Sequence, residues 1–336
     1  MTQASITLPN AVTGRKLLLW LAGLSLAAVV LALLCSLVGQ HRLTWDIWRF
    51  RLYRAAVAAV VGVALAVAGL ALQALLRNPL AEPYILGISS GAGVGVLCGL
   101  ALAAHFALPK WATTPMLAMV GGLATAVVVY AIAHRRGRLD PYVLLLAGVM
   151  INVFNGALIL VILQFTQPTE MIHFIGWGMG KVPEWIWNAP ILLVVCASAV
   201  LLAWGVIFAK GAAFNALGLG DDVASSTGVS VHSLRIQTFV VVSLMTAMAV
   251  SLAGPIGFLG LIVPHVCRML LGPDHRMLVI VSGFGGAFFL MAADTLCRLI
   301  DIWVGMGELP VGVITAMAGG PFFIYLLRTR RGGGVL

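Results

Sequence analysis

Between Arg54 and Arg77 lie twenty-two residues without a charge. As a helix, residues 55–76 would extend about 33 Å at ~1.5 Å per residue, which matches a bilayer hydrocarbon core of ~30 Å. A basic cluster, Arg51-Leu-Tyr-Arg54, precedes the run. A polar, proline-punctuated turn, Arg77-Asn-Pro-Leu-Ala-Glu-Pro83, closes it, and Ile85-Leu-Gly-Ile-Ser-Ser-Gly-Ala-Gly93 opens a second apolar run. The pattern predicts two membrane helices joined by a tight, structured turn on one face, with an arginine patch on the other.

Similar runs recur along the chain. Of its 336 residues, 61% are hydrophobic and 9% charged, with a mean hydropathy of +1.07. A soluble domain of this size carries far more charge, and the strands of a membrane barrel would alternate apolar and polar residues. The expected fold is therefore all-α and polytopic, a single transmembrane domain over residues 1–336 with about ten spans. These are read at 17–38, 55–76, 84–104, 111–133, 142–167, 187–209, 236–253, 258–271, 277–296 and 309–327. The first run exceeds the ~7–15 apolar residues of a cleaved signal and is read as a retained helix. The third is glycine-rich, which allows close helix approach. Residues 168–184 form no span and predict a short amphipathic helix or loop at the interface. The eighth is short because Gly254-Pro-Ile-Gly-Phe-Leu-Gly-Leu-Ile-Val-Pro264 breaks the helix, and broken backbone is tolerated where protein surrounds it.

Ten spans put both termini on one side. If that side is the cytoplasm, thirteen Lys and Arg residues lie inside and seven outside, in keeping with the positive-inside rule. Four of the outer seven, Arg42, Arg49, Arg51 and Arg54, cluster against that rule. The cluster is read as having a second use, with anchoring to lipid headgroups as the alternative. The net charge of +9 is a topology signal and implies no nucleic-acid partner. Five cysteines, none in C-x-x-C spacing, read as buried thiols rather than a metal site.

The chain lacks a P-loop, H-E-x-x-H, G-x-S-x-G and paired intramembrane carboxylates, so an enzyme is not expected. Charges within the spans are sparse. Asp294 stands four residues from Arg298, and an internal ion pair accounts for it. His265 reads as a structural histidine. An ion-coupled carrier usually keeps several ionisable groups at mid-depth. A carrier without them needs energy from elsewhere; the rival reading is an ion-coupled secondary transporter acting without an ATPase. The polar insert 210–235 reads as a short helix, with Asp221 and Asp222 at its N-terminus and Gly228 as a left-handed stop. Its apolar residues Leu217, Leu219, Val223 and Val229 predict docking, although spacing alone fits an ordinary surface loop equally well.

Several further stretches carry a resemblance. They are Gln73, Leu144-Leu-Leu-Ala-Gly148, Asp274-His275-Arg276, Ala293-Asp294 and Glu308-Leu-Pro-Val-Gly312. With Arg51-x-x-Arg54, the Arg77–Pro83 turn, Leu86–Ala92, the 217–229 insert and the Gly254–His265 break, they resemble the permease subunit of bacterial ABC importers for iron–siderophore complexes, haem and vitamin B12. The resemblance implies the type II ABC importer permease fold in the inner membrane, with ten helices per subunit and a homodimer around one pathway. It implies two ATP-binding subunits on the cytoplasmic face, which would hold ATP and Mg, and a periplasmic or lipid-anchored substrate-binding protein outside. No cofactor or metal is expected on this chain; the substrate would be a bulky metal chelate.

By the same resemblance, Arg51, Arg54 and Arg298 would pair with acidic residues of the binding protein. Leu217, Gly218, Asp221, Asp222, Ser225, Gly228 and Val229 would couple to the ATPase, in a segment spanning about residues 216–230. Asn78 and Leu80 would narrow the cytoplasmic end of the pathway. The pathway is expected along the fifth span, residues 168–184 and the tenth span, with Met150, Asn152 and Met179 as candidate lining residues. Tyr53 stands where the family has proline between the two arginines, which leaves the orientation of the patch open. The seven histidines do not favour haem: only His173 lies near this pathway, so the chelate stays open.

Overall fold

A computed structural model describes residues 14–39, 44–135, 138–183, 189–305 and 307–329. Thirteen helices account for most of them. Eight are long and apolar enough to cross a membrane. These are α1 (Gly14–Leu37), α2 (Trp45–Leu76), α3 (Ile88–Phe106), α4 (Lys110–Ala133), α5 (Pro141–Gln164), α7 (Pro190–Ala209), α10 (Val231–Ala253) and α12 (His275–Val304). Two shorter apolar helices, α11 (Leu259–Leu271) and α13 (Val311–Thr329), complete the ten expected. The remaining three are α6 (Pro168–Gly178), α8 (Gly211–Gly218) and α9 (Asp221–Ser226). Arg42 of the outer cluster, residue 184 at the end of the interfacial segment and residues 187–188 at the start of the sixth expected span lie outside the described residues.

Local chemistry sets the boundaries. Thr44 caps α2 by accepting a hydrogen bond from the Ile47 N–H, with Asp46 in the first turn favoured by the helix dipole. The helix therefore starts ten residues before the expected span, and Arg51 and Arg54 lie inside it rather than ahead of it. Tyr53 sits in the same unbroken helix, where the family proline would remove a backbone donor. At its far end Arg77 takes a left-handed conformation, φ 48°, and the Asn-Pro that follows cannot continue the helix. Asp140 caps α5 through the Tyr142 and Val143 N–H groups, with Pro141 in the first turn.

The central element is α2, buried along most of its length against α12, α10 and α11. Side chains are absent where its neighbours come closest. A Cβ on Gly62 would collide with the backbone of Gly286 in α12, and one on Gly69 with that of Gly260 in α11. Packing of backbone on backbone is how membrane helices associate when lipid offers no hydrophobic drive. By contrast, α1, α5 and α7 expose most of their apolar side chains, as helices facing lipid or a second subunit do.

The break after α10 is held from within. Ile256 N–H donates to the Tyr84 hydroxyl at 2.7 Å, and Phe258 N–H donates to the Glu82 carboxylate. Both donors have left the helical ladder and would be costly to bury unpaired. Burial pushes the Glu82 carboxyl above the ordinary range, and the Phe258 hydrogen bond offsets part of that rise.

Candidate functional site

Chemistry-bearing residues gather at the two ends of the bundle. At one end, α2, α12 and the segment before α13 meet in a charged cluster. Arg54 donates from Nε and Nη2 to Asp294 at 2.9–3.1 Å and from Nη1 to both Glu308 oxygens at 2.9 Å. Lys181 Nζ lies 3.5 Å from Glu308. Arg298 donates to the Val38 and Cys35 carbonyls at the end of α1, at 2.7 and 3.0 Å. Arg51 donates to the Leu37 carbonyl at 3.4 Å.

This arrangement corrects the expectation of a free arginine patch. Arg51, Arg54 and Arg298 are only 5%, 3% and 6% exposed. They are buried because each points across a helix interface, where carboxylates or carbonyls at the C-terminal end of α1 accept its hydrogen bonds. The Asp294–Arg298 pair exists at 3.4 Å but does not account for Asp294, whose bidentate partner is Arg54, from a helix 240 residues earlier. Such a fork satisfies both partners geometrically and makes the cluster costly to break.

Glu308 lies outside the spans. Burial alone would raise its carboxyl, but the Arg54 guanidinium and the Lys181 ammonium pull it below the ordinary range. A folded-state value below the unfolded one means that the unfolded chain binds the extra proton. Its stabilisation is therefore complete above the usual carboxylate range and is lost as pH falls through the depressed value. Thermal melting in detergent is expected to drop more steeply on the acid side for the native chain than for Glu308→Gln.

Nearby, Lys110 at the start of α4 holds the largely buried Glu170 of α6 at 2.8 Å. A cavity of about 470 Å³ opens there, lined among others by Lys110, Trp111, His173, Trp177 and Lys181.

At the opposite end, α8 and α9 form the expected insert, as two short helices rather than one. Asp221 and Asp222 occupy the first turn of α9, and Gly228, φ 84°, ends the segment as the spacing predicted. Asp222, Val223, Ser225 and Gly228 are exposed and Val229 is half-buried. Leu217 corrects the reading: it is fully buried in its own bundle and is withdrawn from any outside partner. The exposed apolar contacts are Leu219, at 75%, and Val223, at 42%, with Gly218 exposed beside them. Asp221 turns back to pair with Arg77 and with Arg235, whose Nη2 is 2.9 Å away.

Asn78 directly follows Arg77. Its side-chain oxygen accepts the Leu80 N–H at 3.0 Å, so the two expected gate residues form one compact turn. Gln73 anchors this turn, donating to the Gly260 carbonyl and accepting from Arg268.

The pathway candidates divide. Met150 on α5 and Met179 after α6 are exposed. Asn152 is not an open lining group, because its amide donates to the Tyr84 carbonyl at 3.1 Å and caps the turn before α3. Asn155, one helical turn on, is buried and binds Ser90 and Thr125, joining α3, α4 and α5.

The model of the FecCD transport family matches residues 16–329. The chain belongs to that family. It is 38% identical to the hemin transport system permease protein HmuU of Yersinia pestis, over 85% of this chain and 84% of that one. It is 41% identical to the cobalamin import system permease protein BtuC of Halobacterium salinarum, over 83% of this chain and 72% of that one. A solved structure described as an inward-facing conformation of a metal-chelate type ABC transporter superposes with a TM-score of 0.78. The two are 28% identical, over 92% of this chain and 98% of the other. The fold is thus that of an ABC importer permease.

The Asp294–Arg298 pair is present as its i,i+4 spacing implied, whereas the Arg54 partners and Asn215 carry no such local signal. The Thr44-Trp-Asp46 capping signal was present and would have set the start of α2 correctly. No local pattern announces Arg54–Asp294–Glu308.

Proposed function

We propose that the chain is the membrane subunit of an ATP-driven importer that carries a bulky metal chelate across the inner membrane by alternating access. Two copies would surround one pathway, with both termini in the cytoplasm. The observation that carries the reading is the α8–α9 segment: its exposed apolar side chains, Leu219 at the end of α8 and Val223 in α9, have no cover in their own bundle, and its base is tied inward through Asp221. Such a tip suits a cleft in a separate ATPase subunit, which would hold ATP and Mg. The named relatives for hemin and cobalamin support haem, cobalamin or an iron–siderophore complex as the cargo class.

A substrate-binding protein would dock at the end that carries Arg51, Arg54 and Arg298. In this arrangement Arg54 reaches a partner carboxylate only by releasing Glu308. Charge pairing there steers approach and fixes register, and weakens with salt. Met150 and Met179 remain candidate pathway residues, and Asn78 and Leu80 a candidate inner constriction.

The ATPase activity of the assembled complex tests the reading. It is expected to rise when a binding protein loaded with haem, cobalamin or a ferric siderophore is added, and the stimulating ligand names the cargo. No stimulation by any of the three classes would count against the assignment.

A further inference from the structure

Asn215 and the Asp274-His275-Arg276 sequence have no role so far. In the fold they meet. α8 is set against the first turn of α12: a Cβ on Gly211 would lie 3.0 Å from the Arg276 Cα. The fully buried Phe214 ring lies 6.0 Å from the His275 ring, centroid to centroid. Asn215 completes the contact. Its Nδ2 donates to Asp274 Oδ1 at 2.7 Å, and its Oδ1 accepts the His275 backbone N–H at 2.9 Å. The same oxygen lies 2.9 Å from His275 Nδ1.

The first N–H groups of a helix have no partner within it. In α12, Asp274 takes the Arg276 N–H from its own chain segment, and Asn215 takes the His275 N–H from α8. A cap supplied by a second helix ties the end of the first to that helix. α7 and α10 are joined to α8 and α9 by short connections of the chain; α12 is not, and Asn215 supplies the missing connection. Among the described residues, the ion pairs of this segment with the bundle run from Asp221, 42% exposed, to Arg77 and Arg235, 38% and 16% exposed, and a pair with an exposed partner holds less than a buried one.

From this latch α12 runs thirty residues, about 45 Å at ~1.5 Å per residue, to the opposite end of the bundle. There Asp294 grips Arg54, and Arg54 grips Glu308 just before α13. The geometry points to Asn215 as the positioning residue that transmits movement of α8 and α9 to α12, and through α12 to the charged cluster at the far end. The inference rests on the reading of α8 and α9 as the ATPase-coupling segment.

The test uses the reconstituted complex with its ATPase and binding protein. A spin label at Trp303→Cys, an exposed site near the end of α12, reports the far end, with Cys98→Ser removing the exposed native thiol. ATP is expected to change the label spectrum in this background. Asn215→Leu is expected to keep the ATPase rate within about twofold while shrinking the ATP-dependent spectral change about tenfold, the scale of one lost hydrogen-bond set to a charged partner. The exchange Asn215→Asp with Asp274→Asn keeps one amide donor facing one carboxylate acceptor across the contact and is expected to restore the change. A full spectral change in Asn215→Leu overturns the proposal. So does a loss that the exchange leaves unrepaired, which would assign Asn215 to packing alone. A native complex with no ATPase activity would instead sink the coupling reading itself, so the two failures are distinguishable.

Discussion

Asp294→Ala is expected to destabilise the folded chain by about 3–5 kcal/mol, because it removes the bidentate carboxylate partner of the buried Arg54 guanidinium. Arg298 would lose its nearest carboxylate as well. Fluorescence-detected size-exclusion melting in detergent measures the effect. The loss should be partly recovered when Arg54 is also replaced, as Arg54→Met with Asp294→Ala, since the buried charge that lost its bidentate partner is then gone. Non-additivity of the two substitutions is the signature of direct coupling. Equal melting of Asp294→Ala and the native chain would show that the cluster holds nothing together. This result also separates two roles for the arginines: residues that only awaited an outside partner could be changed without cost to the fold.

Leu219→Glu carries the second large effect, and on assembly instead of stability. Leu219 is among the most exposed apolar side chains of the described residues outside the spans, so the substitution removes no internal contact. The melting temperature should stay within the range of ordinary surface changes, about ±0.5 kcal/mol. An anchor seated in a partner's cleft is worth about 2 kcal/mol or more, or about thirtyfold in affinity. Retention of the ATPase subunits on affinity-tagged permease should fall by that order, and ATP-driven uptake with it. Val223→Glu should act in the same direction. Full retention of the ATPase in both variants would detach α9 from the coupling role.

Ten apolar segments were legible because each is bounded by charge, and charge is scarce in this chain. The same signal misplaced two boundaries. Arg51 and Arg54, like Arg298, read as lying beyond the helix ends, yet α2 and α12 run through them. Their charges cancel only after folding brings together residues 240 apart, and periodicity within one helix holds no trace of that. The insert was read well, since Asp221, Asp222 and Gly228 act through local backbone geometry. Leu217 and Asn152 were misjudged for a shared reason. An apolar or polar side chain on a helix reveals its type but not which neighbour its face meets. The Asn215–Asp274 contact, 59 residues apart, was hidden in the same way, although Asp274-His275-Arg276 had stood out as a motif without a role.

On the proposed function, this permease supplies a passage and takes its energy from a partner's ATP. Among the described residues the buried charges are Arg51, Arg54, Asp294 and Arg298 at one end and the Glu170 carboxylate held by Lys110, all engaged with other groups of the chain. Uptake by proteoliposomes decides the matter, with radiolabelled haemin and cobalamin as probes and the binding protein outside. Vesicles containing the permease with its ATPase subunits and internal ATP are expected to accumulate a probe, and vesicles holding the permease alone to accumulate none under a proton or sodium gradient. Accumulation by the permease alone, without nucleotide, would contradict the account.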